Sequence, residues 1–167
     1  MMIGTYCKTP LKSFIQAILV LLAMGLSHHS VAMAAELKAP NPSIEPIDVV
    51  RTQLEALMNN DTPEADFGIK QTWAFAHPSN RQNTGPYDRF VRLIKNPSYA
   101  PLIDHVSHTI TEQNRSTTWV QFKVLMEDKN GDVLAFAWVV KKASVAPFVD
   151  CWMTSGVSQP LPAGQGS

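Results

Sequence analysis

Cysteine is scarce in this chain: of 167 residues two are cysteine, Cys7 and Cys151. Cys7 falls in an N-terminal segment expected to be removed, so the mature chain carries one thiol and no internal disulfide. An exported chain without disulfides has to rest on its apolar core. Cys151 stands beside Trp152 and reads as a small buried hydrophobe rather than a nucleophile. An excess of basic charge is also missing. Lys8 and Lys12 precede residue 35 and every acidic residue follows it, so the mature chain holds twelve bases against fourteen acids, a net charge of −2. With no basic stripe there is no footprint for nucleic acid. No phosphate-cradling glycine loop and no dinucleotide fingerprint occurs, so no cofactor is expected, and Ser79 and Ser155-Gly156 lie in no nucleophile elbow.

What is present begins with an export signal. Met1–Ser13 is basic, Phe14–Leu26 is an apolar run broken only by Gln16 and Gly25, and Ala32-Met33-Ala34 is a small-x-small cleavage site. The run is short of the ~20 apolar residues that a membrane span needs. No second apolar span follows, so no membrane span is expected after cleavage. Residues 1–35 are therefore expected to be a signal peptide, 36–45 an extended lead-in, 46–155 one α+β domain and 156–167 a disordered tail. Export leads to the periplasm, or to the thylakoid lumen if the host is photosynthetic.

Three helices are expected first. Pro46 suits a first helical position, and Ile47, Val50, Leu54, Leu57 and Met58 recur at three- and four-residue steps, with Asp48, Arg51, Gln53 and Glu55 on the other face. Asp61-Thr62-Pro63-Glu64 reads as a second helix start, running to Phe75 or Ala76 and weakened at Gly68. His77-Pro78 ends it, because the residue before proline is pushed out of the helical region. Ser79–Gly85 reads as a polar loop, and Pro86 opens a third helix with Tyr87, Phe90, Leu93 and Ile94 on one face.

The hydrophobic period then changes to two. Strands are expected at 102–111, 117–128, 133–141 and 148–154, in one antiparallel sheet because the links are too short for crossovers. Asn130-Gly131 reads as a two-residue hairpin turn with positive φ at both positions. That register places Lys129 opposite Asp132 and Lys123 opposite Trp138, on a face mixing aromatics with Gln121 and Lys123. Such a face can line a pocket or pair two copies as a homodimer through the sheet.

Helices followed by antiparallel strands resemble the cystatin-like, nuclear-transport-factor-2-like cone fold. The motifs are more particular. Val49–Asp61, then Ala74-Phe75-Ala76-His77-Pro78, then Tyr87-Asp-Arg-Phe90 and Tyr99-Ala-Pro101, resemble a family of exported bacterial proteins catalogued as domain of unknown function 4864. His77 stands where that family more usually has Ser. The resemblance covers about residues 46–154 and implies a curved antiparallel sheet of about four strands with the helices packed on it. It implies no activity and carries over no catalytic residue.

Candidate chemistry concentrates around the His77-Pro78 break. His77 and Asp88 form an acid–base pair if their side chains meet, which would make a cone-fold hydrolase or isomerase; the bland reading has His77 binding the last carbonyls of its helix. Arg81 and Arg89, with Asn80 and Thr84, are placed to hold an anion at a helix start, or else to staple the loop by bonding its carbonyls. Lys123 and Trp138 join them as the sheet's contribution to a ligand site. Asp104-His105-x-x-His108 is the one cluster that hints at metal, but on a strand its imidazoles would point to opposite faces, so no metal is expected. The balance favours non-catalytic binding of a small ligand or a protein partner over an enzyme.

Overall fold

The computed structural model describes Met1 and residues 36–165. The expected export signal lies outside the described residues. The chain is α+β: four helices precede an antiparallel sheet. Helix α1 is Pro46–Met58, α2 Phe67–Ala74, α3 Pro78–Thr84 and α4 Tyr87–Ile94, and a 3-10 turn at Ala100–Leu102 leads into the strands. Strands β1 Ser107–Arg115, β2 Trp119–Glu127, β3 Asp132–Lys142 and β4 Trp152–Val157 lie side by side in that order, and β5 Leu161–Gln165 pairs with β3. Among the described residues no helix is long and apolar enough to cross a membrane.

Helix α1 starts where Pro46 predicts. Its buried stripe holds Val49, Val50, Leu54 and Leu57, but also Gln53, which is fully buried rather than on the outer face. Gln53 lies four residues from both Val49 and Leu57, so helical geometry puts it on their side. The second helix starts at Phe67 and not at Pro63. Asn60, buried at the end of α1, accepts the Ile69 N–H on its side chain and the Gly68 N–H on its carbonyl, which sets the later start. Gly68 is no weak point. A Cβ there would lie 2.2 Å from the Ala56 carbonyl oxygen, so glycine lets α1 and α2 touch backbone to backbone.

The segment expected as a loop is helix α3. Ser, Asn, Gln and Thr are poor-to-middling helix formers, so fixed ends and tertiary contacts decide the matter. Pro78 takes the first helical position, and His77 caps the helix, its Nδ1 accepting from the Ser79 N–H at 3.1 Å. The break before it docks onto the sheet. His77 N–H donates to the Thr154 carbonyl at 2.8 Å and Thr154 N–H to the Phe75 carbonyl at 2.8 Å, a short parallel bridge between Ala76 and Thr154.

The hairpin register differs by one residue from the expected one. Glu127 pairs with Val133, and three residues, Lys129, Asn130 and Gly131, form the loop between Asp128 and Asp132. The Asp128 carboxylate accepts from the N–H groups of Asn130 and Asp132 at 2.8 and 3.0 Å. Gly131 alone in this loop takes positive φ, at 84°. This is the three-residue hairpin with a bulge at glycine. One residue of slip exchanges the faces. Phe122 therefore pairs with Trp138 and Val124 with Phe136 on the buried face, while Lys123 pairs with Ala137 on the other. The Lys123–Trp138 contact of the expected register does not exist. β1 also starts later than expected, after the 3-10 turn. The expected disordered tail instead completes β4 through Val157 and adds β5 beside β3.

The core joins the buried sheet face to the helices. Phe122, Val124, Phe136, Trp138 and Val140 pack with Val50, Leu54 and Leu57 of α1, Ile69 and Phe75 around α2, and Phe90 and Ile94 of α4. Each such side chain contributes roughly 1.5–3 kcal/mol on full burial.

Candidate functional site

The site grows from Thr154 in β4. Its backbone is taken by the Phe75–His77 segment, and its side chain links the sheet to α1. Trp138 Nε1–H donates to Thr154 Oγ1 at 3.0 Å, and Thr154 Oγ1–H donates to Gln53 Oε1 at 2.5 Å. Gln53 Nε2–H then donates to the Thr72 carbonyl at 2.9 Å, and the Thr72 hydroxyl to the Gly68 carbonyl at 2.8 Å. All four side chains are buried. Burial without partners would cost 1–3 kcal/mol per group, by rough measure, so the chain of bonds is what makes a polar line through the core tolerable.

Beside this line lies a cavity of about 120 Å³. Its inner wall is Gln53, Leu57, Thr72, Phe90, Ile94 and Leu102, closed by Trp138 and Thr154. Partly exposed residues mark its mouth: Asn80 and Thr84 from α3, Leu93 from α4, Tyr99, and Gly156 and Val157 from β4. Asn80 Nδ2–H reaches the Thr154 carbonyl at 3.2 Å, and Thr84 donates to the Asn80 carbonyl at 2.8 Å. Tyr99 donates its hydroxyl to the Val157 carbonyl at 3.2 Å, and burial raises its pKa above the ordinary tyrosine value. No charged side chain lines the cavity. A larger groove of about 450 Å³ opens on the outer face of the sheet beside Gln121, Lys123, Ala137 and Leu161. It is the more open of the two and is lined mostly by partly exposed residues, whereas more of the smaller cavity's wall is buried.

Of the expected ligand-site residues, Asn80, Thr84 and Trp138 line the smaller cavity together. Lys123 is exposed on the opposite face of the sheet, and Arg89 is exposed on α4. Arg81 turns away from any ligand. Its guanidinium donates to the Trp73 and Ala74 carbonyls at 3.0 and 2.9 Å, stapling the end of α2, and lies between the Trp73 and Phe148 rings at 5.2 and 5.3 Å. Burial pulls its pKa below the ordinary arginine value. This is the stapling role, with Nη2 given to two helix carbonyls while Nε is buried without a partner.

His77 and Asp88 do not meet. The His77 ring engages Ser79, Asp88 is exposed in the first turn of α4, and neither lines the cavity. His77 caps the helix after it rather than bonding the carbonyls before it. Burial lowers its pKa, and a nearby Lys141 adds to the effect. The Asp104–His108 cluster also departs from expectation. His105 precedes β1, so the two rings converge: His105 Nε2 is 2.8 Å from His108 Nδ1, and His105 Nδ1 is 2.8 Å from the Leu102 carbonyl. Both His105 nitrogens and His108 Nδ1 are bonded in this way, and among the described residues no group of three or more metal-ligating side chains forms. Cys151 is buried and burial raises its thiol pKa, which makes it a poor nucleophile.

Three residues of the site escaped the sequence reading. Gln53 was legible from its i, i+4 relation to Val49 and Leu57. Tyr99 was visible only within the Tyr-x-Pro motif. Thr154 had no local signal, because its role is made by partners 16 and 101 residues away. No protein-family model, no curated protein and no solved structure matches the chain.

Proposed function

We propose that this chain is a small exported domain of the cystatin-like cone type, akin to the family catalogued as domain of unknown function 4864, that binds a small ligand without catalysis. One observation carries the binding reading: a partly open cavity of about 120 Å³ stands between the helices and the sheet, its largely apolar wall interrupted by a few hydrogen-bonding groups. Apolar walls with a few placed polar groups are the usual composition of a ligand site. The non-catalytic reading is supported by His77 bonding Ser79 while Asp88 is exposed on α4, neither lining the cavity. Export rests on the basic start, apolar run and cleavage site of residues 1–35.

Xenon tests the cavity directly. Crystals of the protein under xenon pressure are expected to show an atom among Phe90, Ile94 and Trp138. Xenon confined to the outer groove, or absent, would remove the reading. A second reading, two copies paired through the sheet, is favoured by the half-buried Trp119, Leu125, Val133 and Val139 on the outer face. Light scattering is then expected to give twice the chain mass; a monomer at all concentrations would end it.

A further inference from the structure

We infer that the cavity's ligand is a small, uncharged amphiphile, an alcohol, phenol or amide on a hydrocarbon body of about one ring, held with its polar end at the mouth. The inference rests on the cavity-binding reading above and adds the chemical class.

Size comes first. An apolar cavity of about 150 Å³ holds benzene, and this one is about 120 Å³ with one end reaching partly exposed residues. By that measure it takes up about five non-hydrogen atoms, so a ligand of roughly six to eight fits with its polar end projecting between α3 and β4.

Charge is decided by what is missing from the lining. No lysine, arginine, histidine, aspartate or glutamate borders the cavity. The nearest cation in sequence to the mouth residues, Arg81, is held on the Trp73 and Ala74 carbonyls between two aromatic rings. An ionised ligand would lose its water and find no counter-charge, which is far more costly than losing one hydrogen bond. Acids and amines are therefore excluded at a pH where they are ionised.

Polarity is decided by unused hydrogen-bonding capacity. The deep groups are mostly taken up by one another, Trp138 on Thr154, Thr154 on Gln53 and Gln53 on the Thr72 carbonyl, with one Gln53 N–H left over. The mouth groups keep more. The Tyr99 hydroxyl spends its proton on Val157 and keeps its oxygen lone pairs; Thr84 likewise spends its proton on Asn80. Asn80 spends one N–H on Thr154 and keeps a second, and its amide oxygen has only a long 3.4 Å contact with Thr84. Acceptors and a donor are thus available among the partly exposed lining residues, which matches a group that both gives and takes a hydrogen bond. The hydrocarbon part then rests on Phe90, Ile94, Leu102 and the Trp138 ring.

Calorimetry on the purified chain with four one-ring probes within that size tests this: toluene, 4-methylphenol, cyclopentanecarboxylate and benzylammonium at pH 7. The expected order is 4-methylphenol about tenfold tighter than toluene, from one further hydrogen bond, with both ions at least about tenfold weaker than toluene. In Tyr99→Phe and Thr84→Val variants, each checked for an unchanged unfolding curve, the phenol's advantage is expected to shrink while toluene affinity holds. Equal binding of toluene and the phenol, tighter binding of either ion, or an advantage untouched by both variants overturns the inferred class while leaving a binding cavity. Failure of all four probes overturns the cavity reading itself.

Discussion

Two polar clusters among the described residues differ in their chemistry, one threading the core and one at the start of the sheet. Gln53, Thr154 and Trp138 are neutral at every pH the protein meets, are linked from α1 to the sheet, and border the cavity. His105 and His108 are titratable, and they spend their facing nitrogens on each other and on the Leu102 carbonyl. The first cluster can seat a ligand because it holds its shape whatever the proton concentration. The second is penalised as its desolvated rings gain protons, and its N–H···N bond is lost once both are charged.

Four perturbations would break or sharpen that contrast. The largest effect is expected from Gln53→Leu. It leaves the Thr154 hydroxyl and the Thr72 carbonyl without their buried partner, at about 2–5 kcal/mol for two orphaned groups. Urea unfolding of the variant measures it, and a loss below the lower figure would mean that water enters and replaces the amide. Next is Arg81→Ala, which frees two partly buried carbonyls and empties the gap between Trp73 and Phe148. A cost of about 1–3 kcal/mol is expected in the same assay, with xenon binding retained.

Acid comes third. Burial lowers the pKa of both His105 and His108; the Leu102 contact opposes this for His105, and Glu55 opposes it for His108, where Arg51 adds to the lowering. The imidazoles are depressed in the folded state, so the unfolded chain binds more protons as pH falls. Stability is thus full above the unfolded value of about 6.5 and declines below it toward the folded values. Denaturant midpoints from pH 8 to 5 should trace this fall. His105→Gln, which keeps a donor and an acceptor but does not titrate, should flatten it; an unchanged slope would assign the fall to other groups, His77 among them. The smallest effect belongs to Lys123→Ala on the exposed outer face, where stability should move by no more than about 0.5 kcal/mol and probe binding not at all.

The same contrast explains what was legible in the sequence. The helix at Pro46, the change of period after residue 102 and the hairpin at Gly131 were readable because each is written in neighbouring residues. The register was not, because the Asp128 carboxylate binds two backbone N–H groups and converts a two-residue turn into three. That one step moved Trp138 from the sheet's outer face to the floor of the cavity. Helix α3 was missed for a related reason: its residues favour loops, and its contacts with Thr154, Trp73 and Phe148 are distant in the chain. The candidate site was half visible. Asn80 and Thr84 belong to a polar cluster that stood out beside His77-Pro78, whereas Thr154 acquires its meaning only when β4 is laid beside the break.

The most direct test is an amide and indole N–H spectrum of the labelled protein during titration with 4-methylphenol. Trp138→Phe assigns the Trp138 indole resonance among the four tryptophans. The account predicts saturable shifts of the Trp138 indole and the Thr154 and Leu93 amides, with Lys123 and Ala137 unmoved. Shifts confined to Lys123, Ala137 and their neighbours on the outer face, or no saturable shift anywhere, would contradict it.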